Sequence, residues 1–187
     1  DLKIRNIDPG HVVDENGKRF LYFPNGGYVP MSDDGLSVVG EMKHAYSGWP
    51  IPNEWSIECF CLEGPKLMKR GEYYYLTVAE GGTAGPATGH MIISARSKSP
   101  LGPWENSPFN PILRTKDSNE RWLSKGHGTP FEDAKGNWWM MFQTWRHHAP
   151  VMQLKGWLYG CPPCLLQEKY FVHSIAAMQK AAAAINK

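Results

Sequence analysis

Asp8, Glu63 and His127 are ionisable residues that each stand beside glycine or proline at the opening of a similar stretch of sequence. Two of them are carboxylic acids, and hydrolysis of a glycosidic bond needs two: one protonates the leaving oxygen, and the other activates water or attacks the sugar. The acid must stay protonated near neutral pH, so burial or a nearby negative charge must raise its pKa. We therefore predict Glu63 as a general acid and Asp8 as the neighbour that orients it and raises its pKa. The alternative is that each acid only caps a turn.

The three stretches also continue in the same way after the ionisable residue. Each reaches a hairpin glycine, at Gly17, Gly71 and Gly136, and then runs into an aromatic strand. The ionisable residues recur roughly every 55 to 64 residues, close to the repeat of propeller blades. Equivalent positions of successive blades face one axis, so these residues are expected to converge. We predict an all-β fold, a partial β-propeller of about three blades.

Composition limits the classes of partner. A chain of 187 residues is expected to form one domain, and its 19 glycines and 15 prolines suit short strands joined by tight turns. The net charge of +2 and the lack of a basic cluster among exposed aromatics argue against nucleic acid. No window is apolar enough for a membrane span.

Further candidate ligand contacts lie in two irregular segments. Trp49 and Trp55 flank a proline-containing loop and either contact a ligand or cover the edge of a blade. His90 ends a glycine-rich loop that lacks the features of a phosphate loop, and it is a candidate for substrate contact. His127 either binds a metal ion or water at the axis, bonds a substrate hydroxyl, or is a satisfied polar residue of the core.

The cysteines and the C-terminal segment add little. In a strand, Cys59 and Cys61 would share a face and be poorly placed to bond each other, and the pair Cys161 and Cys164 has only the spacing of a redox or metal pair. The β pattern breaks after Phe142. We divide the chain into an incomplete propeller domain over 1–148 and an atypical tail over 149–187, in which Ser174 is expected to cap an alanine-rich helix.

Several of these stretches together resemble glycoside hydrolase family 43, the five-bladed β-propeller enzymes that include β-xylosidases and α-L-arabinofuranosidases. The matching pieces cover about residues 1–142 and are Ile7-Asp8-Pro9 with Asp14-Glu15-Asn16-Gly17, Glu63-Gly64-Pro65 with Tyr73-Tyr74-Tyr75, the segment from Arg96 to Glu105, Asn110-Pro111-Ile112-Leu113, and Gly126-His127-Gly128 with Gly136-Asn137-Trp138-Trp139.

The resemblance implies an inverting hydrolase of β-xylosides or α-L-arabinofuranosides in plant polysaccharides. Glu63 matches the family's general acid, Asp8 its pKa-modulating aspartate, and His127 an axial histidine that in some members helps hold calcium or another ion. No cofactor is required otherwise, the partner is an oligosaccharide or polysaccharide, and the expected location is extracellular or periplasmic. The family's general base, an aspartate ahead of all these motifs, has no match here. We therefore expect a fragment that is inactive or nearly so by itself.

Three other interpretations stay open. A non-catalytic carbohydrate-binding propeller would use Trp49, Trp55 and Trp104 as stacking platforms. A fructan- or sucrose-acting relative would share the fold, although the Glu63-Gly64-Pro65 context favours family 43. A purely structural propeller would leave the acids at two equivalent axial positions unexplained.

Overall fold

The computed structural model describes residues 2–146 and 168–172, which form three antiparallel sheets. The first sheet has the order β1-β2-β3-β4, with a short 3-10 turn at Pro24–Gly26 between its second and third strands. Its strands are β1 (Gly10–Val13), β2 (Arg19–Tyr22), β3 (Gly27–Met31) and β4 (Lys43–His44).

The second and third sheets are also built from strands that neighbour one another in chain order. In the second sheet the order is β5-β6-β7-β8, and β9 pairs with β7. Its strands are β5 (Leu62–Arg70), β6 (Tyr73–Glu80), β7 (Met91–Ser97), β8 (Glu105–Asn106) and β9 (Leu113–Arg114). The third sheet contains β10 (Trp122–Glu132), β11 (Trp138–Arg146) and β12 (Glu168–Val172). Three successive meandering sheets confirm the all-β class and the partial propeller.

The first strand pair of each sheet is joined by a turn that the sequence dictates. Gly17, Gly71 and Gly136 have φ values of +80°, +58° and +79°, which favour glycine because it lacks a Cβ atom. In the first and third hairpins an aspartate closes the turn. Asp14 Oδ1 accepts hydrogen bonds from the Asn16 and Lys18 amides, and Asp133 does the same in the third hairpin.

The second sheet lies between the other two. On one face, Tyr74 packs with three aromatic or aliphatic side chains of the first sheet, Val12, Phe20 and Tyr22. On the other face, Ile92 packs with Met140 and Phe142 of the third sheet. Residues that are paired across neighbouring strands point to the same face of a sheet. Ala79 is paired with Ile92, and Glu63 is paired with Ala79, so both also face the third sheet.

Two sequence-based expectations are wrong. The β pattern does not stop at Phe142, because β11 continues to Arg146, where the Thr144 side chain is buried and its hydroxyl donates to the Leu123 carbonyl. Cys59 and Cys61 do form a disulfide. They lie in an irregular segment rather than a strand, which brings their Cα atoms to 5.2 Å, within the range that a disulfide spans.

The segment assigned to the tail contributes one unexpected strand, β12, which pairs with β11. The helix expected from Ser174 and the pair Cys161 and Cys164 lie outside the described residues. Within the described part of the chain, no helix has the length and apolar character that crossing a membrane requires.

Candidate active site

Glu63 lies near the start of β5, where the strand is irregular. It pairs with Ala79, and the register between β5 and β6 shifts before the next pair, Lys66 with Thr77. Gly64, within this irregularity, has a φ of +54°. Such bulges re-aim side chains beside functional sites, and here the Glu63 carboxylate reaches the third sheet with 27% of its side chain exposed.

His127 reaches Glu63 from the third sheet. It lies in a part of β10 where the register with β11 shifts twice, and its own φ is +48°, a conformation uncommon for a residue with a Cβ atom. Its Nε2 lies 2.9 Å from Glu63 Oε2. Because a carboxylate only accepts hydrogen bonds, the imidazole donates. Gly64 makes this approach feasible, since a Cβ atom there would lie 2.8 Å from the ring nitrogen Nδ1 of His127.

His90 is the third group of the cluster and is fully buried. Its Nδ1 lies 3.4 Å from both the Ser124 carbonyl oxygen and the Thr83 hydroxyl. Its Nε2 points toward Glu63 Oε2 at 4.0 Å. The ring packs directly on Gly126, where a Cβ atom would overlap it. The sequence predicts that His90 contacts the substrate. In the structure its side chain is fully buried and faces Glu63 rather than an open surface.

The electrostatics of the cluster differ from the sequence-based expectation. The hydrogen bond from His127 lowers the pKa of Glu63 below its ordinary value, and this outweighs burial, which acts in the opposite direction. Burial lowers the pKa of His90 to about 4, so this imidazole is neutral near pH 7. The predicted rise in the pKa of Glu63 is therefore wrong for this arrangement, in which an imidazole N–H of His127 donates to the carboxylate.

Asp8 enters the fold at the same end of the second sheet but is not joined to the cluster. Its φ is +48°, so it repeats the left-handed conformation of Gly64 and His127. Two residues later, Gly10 lies so close to the Pro65 carbonyl that a Cβ atom would overlap it. Among the described residues, the half-buried Asp8 makes no hydrogen bond or ion pair. The polar neighbour of Glu63 is thus His127, and Asp8 lies at the entry to the adjacent inner strand.

The tryptophans of the irregular segment pack on the second sheet. Trp49 and Trp55 have ring centroids 5.9 Å apart, and both lie against the hydrophobic cluster around Leu76. The Arg114 guanidinium carbon lies 3.5 Å from the centroid of Trp55. Trp104 packs against the same cluster. None of the three belongs to the group formed by Glu63, His90 and His127.

Glu80 is a buried acid that sequence reasoning missed. It is 3% exposed at the end of β6, and its Oε2 accepts a hydrogen bond from the Trp49 amide at 3.4 Å. Burial raises its pKa to about 7. The sequence did contain a signal for the burial of Glu80. This residue continues the alternating positions of one strand that share its core face, Tyr74, Leu76 and Val78.

The cluster does not fit the calcium ion suggested for the axis. One carboxylate oxygen and two imidazole nitrogens, from Glu63, His90 and His127, lie within 4.8 Å of one another. Calcium takes six to eight oxygen ligands in proteins, and imidazole nitrogens are not among them. We therefore interpret the contacts among Glu63, His90 and His127 as hydrogen-bonding and proton-transfer contacts rather than as calcium ligation.

A model of the glycosyl hydrolases family 43 matches residues 2–160. A xylan 1,3-beta-xylosidase of Vibrio sp is 34% identical over 150 residues, covering 72% of this chain and 25% of that protein. A beta-xylosidase of Bacillus subtilis is 35% identical over 178 residues, covering 86% of this chain and 31% of that protein. A non-reducing end alpha-L-arabinofuranosidase of Bacteroides ovatus is 41% identical over 78 residues, 41% of this chain and 14% of that protein.

Solved structures of the same family share the fold. The BlXynB protein of Bacillus licheniformis superposes with a TM-score of 0.65 at 33% identity, over 76% of this chain and 26% of that one. The Bacteroides ovatus GH43B structure gives a TM-score of 0.63 at 29% identity, over 78% of this chain and 27% of that one. The chain thus spans about a quarter to a third of the Vibrio and Bacillus subtilis relatives.

Proposed function

The chain belongs to family 43 of the glycosyl hydrolases, and we propose that it supplies the general acid of a glycosidase that acts on β-xylosides, α-L-arabinofuranosides or both. The proposal draws its substrate class from relatives named as beta-xylosidases and as an alpha-L-arabinofuranosidase. The substrate is accordingly an oligosaccharide or polysaccharide, and catalysis by two carboxyl groups requires no cofactor.

The observation that carries this proposal is the position of Glu63. Its carboxylate stands at the start of an inner strand, partly exposed, with two imidazoles around it. A group that delivers a proton must combine access to the substrate with partners that hold its orientation. Within the cluster of Glu63, His90 and His127, Glu63 is the carboxylic acid, and its side chain is 27% exposed.

Asp8 is the second carboxyl group in the proposal, with the task of orienting Glu63. The positive φ of the half-buried residue Asp8, at the entry to β1, supports a functional role for this position, because unusual φ values cluster at functional sites. An inverting mechanism also needs a base on the opposite face of the sugar. We expect this base to come from a part of the fold beyond the quarter to a third that the chain spans, and the chain alone to be inactive or nearly so.

The proposed location is extracellular or periplasmic. The Cys59–Cys61 disulfide supports it, because disulfides persist in oxidising compartments. No step of the proposed mechanism passes through a calcium ion, since the described donors do not form an oxygen cage.

The test measures hydrolysis of 4-nitrophenyl β-xyloside and 4-nitrophenyl α-L-arabinofuranoside. The chain is compared with a version extended at both ends to the length of its relatives. We expect turnover only from the extended version, and a lower turnover in Glu63→Gln. Glu72→Gln is the matched control, because Glu72 lies in the same hairpin but with an 80% exposed side chain. Sugar binding without hydrolysis by the extended version would instead favour a carbohydrate-binding propeller.

A further inference from the structure

Glu63, His90 and His127 bring together three atoms that can each donate an electron pair to one metal ion. Nε2 of His127 lies 2.9 Å from Glu63 Oε2, and Nε2 of His90 lies 4.0 Å from the same oxygen. The ligand atoms of all three residues lie within 4.8 Å of one another. The ligands of a tetrahedral zinc ion, bound at about 2.0–2.2 Å, lie about 3.4 Å apart. The three atoms therefore surround a space that such an ion fills after small side-chain movements.

His90 contributes a nitrogen that has no other partner in the fold. Its side chain is fully buried, and its Nε2 has no hydrogen-bond partner among the described residues. Buried polar atoms are nearly always paired, and an unbound ion is one of the explanations for an exception. This Nε2 points toward Glu63 Oε2, which as a carboxylate oxygen cannot donate to it. A cation between the two atoms gives each of them a partner.

The surroundings of His90 orient the ring as metal-binding histidines are usually oriented. Its Nδ1 lies 3.4 Å from the Ser124 carbonyl oxygen, which only accepts hydrogen bonds, so Nδ1 carries the hydrogen. Burial favours the neutral ring, in which Nε2 keeps its lone pair. Histidines that bind metals generally donate their other N–H to a carbonyl or a carboxylate, which fixes the tautomer and the ring orientation. Gly126 restricts the ring further, because it packs directly on it.

The donor set determines the kind of ion. Two imidazole nitrogens and one carboxylate oxygen suit zinc and the neighbouring first-row ions, whereas calcium and magnesium prefer oxygen ligands. Three protein ligands leave a fourth position for water, as in zinc sites that stay open to solvent. Glu63 and His127 each have 27% of the side chain exposed. An ion can therefore enter from their side, while the buried His90 closes the inner end.

We propose that Glu63, His90 and His127 form a site for a zinc-class divalent ion, and that the bound ion blocks the proton transfer assigned to Glu63. On binding, the Nε2–H bond of His127 breaks, its proton passes to water or to Nδ1 of the same ring, and a metal–nitrogen bond forms. The Glu63 carboxylate becomes a ligand and no longer takes up a proton. The blocking effect rests on the proposed role of Glu63, whereas binding of the ion does not.

The first measurement titrates Zn²⁺ into the unaltered chain with ¹⁵N-labelled histidine. Nitrogen shifts identify the ring atoms that bind the ion, so zinc at this site is distinguished from zinc bound by other residues, such as Cys161 and Cys164. We expect the Nε2 signals of His90 and His127 to shift together and to saturate at the same zinc concentration, and Ca²⁺ to leave them unchanged. Unchanged Nε2 signals with Zn²⁺, or equal shifts with Ca²⁺, overturn the inference.

The second measurement compares Zn²⁺ affinities by calorimetry in a Cys161→Ser/Cys164→Ser background, which removes two sulfur ligands outside the site. Loss of an outer partner of a metal ligand alone costs about 10–100-fold in affinity, so Glu63→Gln and His127→Gln, which remove ligands, should each weaken binding at least about tenfold. His44→Leu is the matched control, because His44 is exposed and lies outside the cluster, and it should leave the affinity unchanged. Equal affinities in Glu63→Gln and the background protein refute the site.

The third measurement separates this inference from the proposed function. In the version extended to the length of the relatives, Zn²⁺ should inhibit hydrolysis of 4-nitrophenyl β-xyloside, and a chelator should restore it. Zinc binding without inhibition would uphold the metal site and contradict the role of Glu63 as the acid. Turnover that depends on Glu63, without zinc binding, would overturn the metal site and leave the proposed function intact. If a variant fails to fold, the histidine signals of the unaltered chain still decide the inference.

Discussion

The buried carboxyl group of Glu80 predicts a specific loss of stability with rising pH. The residue is 3% exposed, and burial raises its pKa from 4.5 to about 7, opposed only by the hydrogen bond from the Trp49 amide. In the unfolded chain this group ionises near 4.5. Between the two values the folded chain therefore binds the proton that the unfolded chain has lost.

The sign and size of the effect are given by proton linkage. Since the folded pKa is raised, the stability that Glu80 contributes is fully present below pH 4.5 and is lost as the pH rises through about 7. The difference between the two pKa values corresponds to about 3 kcal/mol in the free energy of unfolding. Domains of this size are stable by about 5–15 kcal/mol, so the change is measurable.

The assay is urea unfolding of the chain and of Glu80→Gln at several pH values between 4.5 and 8, just above the folded pKa of about 7. Glutamine keeps the shape and an acceptor oxygen for the Trp49 amide but has no proton to lose. We expect the free energy of unfolding of Glu80→Gln, relative to the unaltered chain, to rise across this interval. Glu72→Gln, at an exposed side chain, controls for removal of a carboxylate. Parallel pH curves for the chain and Glu80→Gln would refute the reasoning.

Three further predictions concern the backbone of the site and one turn. Gly64→Ala and Gly71→Ala place a Cβ atom at similar φ values of +54° and +58°, but only the first meets His127, while nothing lies within 4 Å of the second. We expect both to lower the free energy of unfolding by about 1–2 kcal/mol, and only Gly64→Ala to lower kcat/KM of the extended protein by about tenfold or more; equal kcat/KM values would contradict the role of the His127 contact. Gly126→Ala overlaps the His90 ring and should lower the melting temperature by several degrees, on the order of 5 °C, whereas an unchanged melting temperature and histidine spectrum would show that the ring does not need this space. Hydrogen bonds from Trp139 and Asn137 lower the pKa of Asp133 to about 2 from 3.8, so the advantage of the chain over Asp133→Asn in unfolding midpoint should be present above pH 3.8 and shrink as the pH falls through about 2; a constant advantage would contradict it.

The repeated hairpins were predictable because their signals are local. Gly17, Gly71 and Gly136 each stand where the chain must take a positive φ, and short polar turns flanked by aromatic runs indicate strand pairs without reference to the rest of the fold. The same repeat placed Glu63 and His127 at corresponding ends of neighbouring inner strands, and the structure joins them by a hydrogen bond.

The features that were missed depend on contacts distant in sequence. The burial of His90 results from β10 packing over the glycine loop, through Gly126 and Ser124, and nothing adjacent to His90 in the sequence reports it. The downward direction of the Glu63 pKa depends on a bulge that aims His127 at it. The Cys59–Cys61 disulfide was missed because the strand assumed there is an irregular segment.

The most direct test of the account asks whether Glu63 protonates the leaving oxygen. A general acid matters when the leaving group is a poor one and becomes dispensable when the leaving group departs without a proton. In the extended protein, Glu63→Gln should therefore lose about a hundredfold or more of kcat/KM on a xylobiose-type substrate, and far less on the 2,4-dinitrophenyl β-xyloside. We expect this divergence for Glu63→Gln and its absence for Glu72→Gln. An equal loss on both substrates, or no loss on either, would contradict the assignment of Glu63 as the acid.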